Sequence, residues 1–162
     1  MNIKFYVLEQ IPVLSPSTLS ATLVWLGCTT EDWLADRVLE LCYTNEELAS
    51  FAADLGRDHP PFRWRPDRRV LLQGEIDAAV LHLYGLDRMQ AEWLLDSFTV
   101  LSKYEERDFG EFRTKRIVLE IYDDIASAKL TGRAYRSRLN PVPADPSCCH
   151  EAATAGSAVR VG

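Results

Sequence analysis

The sequence predicts a mainly α-helical protein: a small helical bundle with one short N-terminal strand and a disordered, Pro-rich C-terminal tail. Three observations carry this. Apolar residues recur at three- and four-residue spacing through much of positions 30–127. Only one run, at the N-terminus, is rich in strand formers. Near the end, Pro141, Pro143 and Pro146 are followed by small residues, and the periodicity stops. A chain of 162 residues that is 47% hydrophobic and 26% charged can bury a core of its own.

In chain order, Ile3-Lys4-Phe5-Tyr6-Val7-Leu8 reads as the strand, and Pro12 and Pro16 break it. No second run reads as a strand, so this one is expected to pair with sequence outside the chain. Thr30 caps a helix whose stripe is Trp33, Leu34, Arg37, Val38, Leu41 and Cys42. Asn45 starts another, with Leu48, Phe51, Ala52 and Leu55 on its apolar side and Gly56 as its stop. His59-Pro60-Pro61 is a loop. Pro66 opens a long helix, where its missing N–H is no loss, and Tyr84-Gly85-Leu86 ends it. Asp87 caps a helix from Arg88 to Phe98 with Met89, Trp93 and Leu94 inward. A charged stretch, Lys103 to Arg107, and Gly110 precede a last helix over about 111–127. The organisation is then strand and linker over 1–16, a helical domain over 17–128, and an extended or disordered tail over 129–162.

The net charge of −6 argues against a generally basic nucleic-acid binder, but the charge is uneven. Residues 1–56 carry two bases against eight acids, and residues 57–138 carry fifteen against fourteen. The bases cluster at Arg57 to Arg69, at Arg107 to Arg116 and at Lys129 to Arg138. Arginine dominates them, and its planar fork suits phosphate. The bland reading is a set of solvated faces with local salt bridges. No apolar run is long enough for a membrane span, no secretory signal is evident, and the irregular spacing of four cysteines suggests reduced thiols; the expected location is the cytoplasm.

Catalytic patterns are missing. There is no Gly-rich phosphate loop. His59, His82 and His150 are isolated, and Cys148-Cys149-His150 lacks zinc-ligand spacing. Glu75 with Asp77, and Asp123 with Asp124, are too close in sequence to share a helix face for acid–base work. The four tryptophans read as core or interface anchors.

Two blocks carry a resemblance. One is residues 75–86, ending Leu83-Tyr84-Gly85-Leu86. The other runs from Phe98-Thr99-Val100-Leu101 through Lys103-Tyr104-Glu105-Glu106 to Phe109-Gly110-Glu111-Phe112-Arg113-Thr114-Lys115-Arg116. Their order resembles the C-terminal end of large bacterial restriction–modification proteins, the adenine-specific DNA methyltransferases fused to a target-recognition region and sometimes to a nuclease. Phe5 to Val13 resembles the exit of that recognition region, and Asn140 to Pro146 the family's Pro-rich ending. The resemblance spans roughly residues 3–146.

The resemblance implies a non-catalytic helical module in bacterial defence. The S-adenosylmethionine site of such enzymes lies in a core that this chain lacks, so no cofactor is expected here. Asn140-Pro141-Val142-Pro143 also lacks the aromatic with which such enzymes stack a flipped base. The implied partners are a methyltransferase and target-recognition polypeptide and, through the assembly, double-stranded DNA. In that setting Arg107, Arg113, Thr114, Lys115 and Arg116 form a candidate backbone clamp, with Arg68 and Arg69 as a second contact. The alternative is a stand-alone helical interaction or regulatory domain without DNA contact.

Overall fold

A computed structural model describes residues 13–151. The expected N-terminal strand lies outside the described residues. Among those described, helix dominates. α1 is Pro16–Ser20, α2 Thr30–Cys42, α3 Ala49–Asp54, α4 Pro66–Leu83, α5 Arg88–Asp96, α6 Thr99–Phe109 and α7 Arg113–Thr131, with 3-10 turns at Glu46–Leu48 and Pro146–Cys148. The mainly α class is therefore correct. None of the described helices is long and apolar enough to cross a membrane.

A two-stranded antiparallel sheet was not expected: β1 (Thr22–Leu23) pairs with β2 (Cys28–Thr29). Two residues per strand are too few to show alternation. The turn is set by Gly27, whose φ of +78° is open to a residue without Cβ. Thr29, not Thr30, caps α2: its hydroxyl accepts from Asp32 N–H at 3.1 Å.

The chain forms two compact units, Met1–Leu34 with Gln73–Arg136, and Ala35–Leu72 with Ser137–Gly162. The first is organised by α7. Ile117, Val118, Ile121, Tyr122, Ile125 and Ala128 recur every three or four residues and are buried. α5 and α6 pack on α7. α4 approaches it closely at Gly74, where a Cβ would stand 2.9 Å from Ile117 Cγ2. Asp87 and Gln90 close a reciprocal capping box on α5, and Gly110 and Gly132, both left-handed, end α6 and α7.

The second unit packs Leu39, Tyr43, Ala52 and Phe62 with Ala144, Cys148 and Cys149. The Pro-rich segment is extended, and its first part is anchored rather than loose. Phe62 and Cys149 form an isolated antiparallel bridge, and Arg63 N–H donates to Cys148 O at 3.0 Å. Prolines that prevent a helix do not prevent burial, because neighbouring backbone supplies the hydrogen bonds.

Candidate functional site

The residues expected to clamp DNA are dispersed and mostly occupied. Arg68, on α4, is buried. Its guanidinium grips Glu40 through two nitrogens, one at 3.0 Å, and donates to Pro141 O and Val142 O at 2.7 and 2.9 Å. Glu40 also accepts from Ala144 N–H at 2.9 Å. This corrects the expected second contact: Arg68 ties the Pro-rich segment to α2 and α4 and has no surface to offer a phosphate. Arg69 stacks 3.6 Å above the Trp64 ring and donates to Leu41 O at 2.7 Å. It helps end α2, whose last carbonyls lack helical partners.

The first group lies around the start of α7. Lys115 reaches Asp96 at 2.6 Å and Glu92 at 3.0 Å, and the two carboxylates hold its pKa above the usual lysine value. Arg116 is bracketed by Glu111 and Glu120 at 2.9 and 3.0 Å, which raise its pKa in the same way. Thr114 gives both its N–H and its hydroxyl to Glu105, at 2.7 and 2.6 Å. Glu105 thus fills the helix N-terminus where an anion was expected. Arg107 pairs with Asp108 and lies 5.2 Å from the Tyr104 ring, and Arg113 lies at the same distance from Phe109. The structure brings Thr114, Lys115 and Arg116 together, but as a charge-compensated face. Counting bases in sequence could not reveal this, because Glu92, Asp96 and Glu105 come from two other helices.

The second correction concerns α5. Met89, Trp93 and Leu94, expected inward, are exposed, the first two to 76 and 75%. Ala91 and Leu95 face the core instead. The small Ala91 lets α5 settle close to α7, and that phase turns Trp93 to solvent. α6 continues the pattern with Val100, Leu101 and Tyr104 exposed, and no residue of α6 is buried. A shallow apolar depression of about 460 Å³ lies among Phe98, Val100, Leu101 and Tyr104. Exposed apolar groups thus recur at i and i+4 on two successive helices, Met89 with Trp93 and Val100 with Tyr104.

One pairing escaped the sequence. Cys149 Sγ sits 3.3 Å from His59 Nδ1, ninety positions away. They lie beside a cleft of about 850 Å³ bounded by Tyr43, Glu46, Arg57, Asp58 and His150. This is not an activated nucleophile. Burial, helped by Cys148 and Glu40, pushes the Cys149 pKa up to about 11, so it stays a thiol. His59 Nδ1 is 2.9 Å from Pro60 O, to which it donates. His82 is a packed residue: it stacks on Tyr122 at 3.9 Å and 10°, and Nε2 donates to Tyr122 O at 3.0 Å. Among the described residues no cluster of His, Cys, Asp or Glu could hold a metal ion.

Comparison with known proteins finds no matching family model, no matching curated protein and no matching solved structure.

Proposed function

We propose that this chain is a non-catalytic C-terminal helical module of a restriction–modification adenine-specific DNA methyltransferase. It packs on the methyltransferase and target-recognition polypeptide through the outer faces of α5 and α6. The observation that carries this reading is the exposure of Met89, Trp93, Val100 and Tyr104 on helices whose other side is packed on α7. The sequence resemblance over residues 75–116 supplies the kind of partner. S-adenosylmethionine belongs to the partner polypeptide in this reading, and no chemical step falls to this chain. The paired state of Thr114, Lys115 and Arg116 argues that this stretch shapes the module and does not grip DNA.

The test is co-expression with an adenine-specific methyltransferase and target-recognition polypeptide of a restriction–modification system from the same genome, followed by affinity capture. The wild-type chain is expected to retain that polypeptide. Trp93→Ser with Val100→Glu is expected to weaken capture by roughly 30-fold or more, the scale of an interface hot spot. Failure of the wild-type chain to capture it, or equal capture by the variant, refutes the reading.

A further inference from the structure

Lys129, Arg133 and Arg136 form a basic group at the end of α7, away from the residues that the sequence singled out. Among the described residues, no carboxylate lies within ion-pair distance of Lys129, Arg133 or Arg136. All three are exposed and belong to the first unit. Lys129 Nζ lies 5.7 Å from the Trp25 ring and 3.5 Å from His82 Nδ1.

The backbone that carries them is fixed. Gly132 ends α7 in the left-handed conformation, and Arg133 N–H closes back on Ala128 O at 3.0 Å. Tyr135, between the two arginines, is buried. Its N–H donates to Trp25 O at 2.8 Å and its hydroxyl to Glu75 Oε1 at 3.0 Å. Ala134 lies against Gly27, close enough that a Cβ on that glycine would stand 3.2 Å away. Arg133 and Arg136 therefore project from a pinned segment, with Cα atoms at most about 10 Å apart. The β1–β2 hairpin beneath them, residues 22–29, contains no acidic or basic side chain; its hydroxyls are those of Thr22 and Thr29, and Thr29 donates its own to Asp32 at 2.6 Å.

We propose that Lys129, Arg133 and Arg136, beside the uncharged β1–β2 hairpin, form a binding surface for the phosphate backbone of duplex DNA. Guanidinium forks match phosphate oxygens in a bidentate manner. A pinned segment presents the cations with less ordering to be lost on binding. The inference takes its ligand, DNA, from the functional reading above, but it needs no contact by α5 or α6.

The experiment is fluorescence anisotropy of a labelled 20-base-pair duplex with the full chain, from about 30 to 200 mM salt. Each phosphate neutralised contributes about −0.9 to the slope of log affinity against log salt. Arg133→Ala with Arg136→Ala is expected to reduce that slope by about 1.8 and to weaken binding at least tenfold at low salt. Arg113→Ala with Lys115→Ala is expected to leave both nearly unchanged. Both altered arginines are exposed, so unchanged circular dichroism and melting confirm that the variant folds. No DNA binding by the wild-type chain, an unchanged slope in the Arg133/Arg136 variant, or equal competition by polyglutamate would overturn the proposal. Capture of the methyltransferase polypeptide is scored separately, so either reading can fail alone.

Discussion

The Arg68–Glu40 pair makes the sharpest stability prediction. Both side chains are almost wholly buried, at 7 and 5% exposure. Glu40 holds three donors at once: two guanidinium nitrogens and Ala144 N–H. Glu40→Gln keeps the volume but removes the charge and replaces one acceptor oxygen with a donor. Arg68 is then a buried cation without a counter-charge, and at least one donor among Arg68 and Ala144 faces an NH2. Removing one partner of a buried pair costs about 3–5 kcal/mol. In a chain of this size that corresponds to roughly 6–20 °C in Tm. Urea unfolding followed by tryptophan fluorescence measures the loss. Hydrogen exchange locates it, because the Ala144 amide should lose protection. Replacing both residues with Met should cost less than the sum of the single losses, since no charge is then stranded, although Ala144 N–H and the two carbonyls still lose partners. A Glu40→Gln loss below about 1 kcal/mol, with Ala144 still protected, would mean that the pair is not desolvated in the protein, against the cost expected for a buried pair.

Other outcomes follow from the same packing. Burial, with Lys129 nearby, lowers the His82 pKa below its usual 6.5, although the bond to Tyr122 O and the charge of Asp123 pull the other way. The unfolded chain then binds a proton that the folded one refuses, so stability is complete above pH 6.5 and falls as the pH drops below it. His82→Gln should flatten the urea midpoint between pH 7.5 and 5.5 relative to wild type; an equal slope refutes this. Gly74→Ala gains about 1 kcal/mol of helix propensity but forces a Cβ to 2.9 Å from Ile117 Cγ2, so a net loss of about 1 kcal/mol is expected on melting, and a gain would show that α4 and α7 stand further apart. Ellman's reagent at pH 8 should label exposed Cys42 quickly and Cys149 only on unfolding, because a thiol with a pKa of about 11 is buried and about one part in a thousand thiolate.

What the sequence revealed divides by the range of the interaction concerned. The helices were legible because their signals are local. Asp87 caps α5 as expected, Pro66 opens α4, and the stripe Ile117, Ile121, Tyr122, Ile125 is the buried side of α7. The phase of α5 was not legible. Its two apolar sets, Met89 with Trp93 and Ala91 with Leu95, compete, and bulk favoured the set that the structure exposes. Ala91 wins because close approach to α7 needs a small residue there, a requirement set by the neighbouring helix.

The site followed the same rule. A basic cluster in sequence is a binding surface only if its charges are unpaired in space. Lys115 and Arg116 fail this because Asp96, Glu92, Glu111 and Glu120 surround them. Arg68 fails because Glu40, twenty-eight positions away, has drawn it inside. Arg133 and Arg136 lack such partners, and one reason is already visible in the sequence: the hairpin packed against their segment, residues 22–29, is free of charge. Searching for the acid-free partner of a basic stretch, rather than for the densest basic stretch, would have directed attention to the end of α7 instead of its beginning.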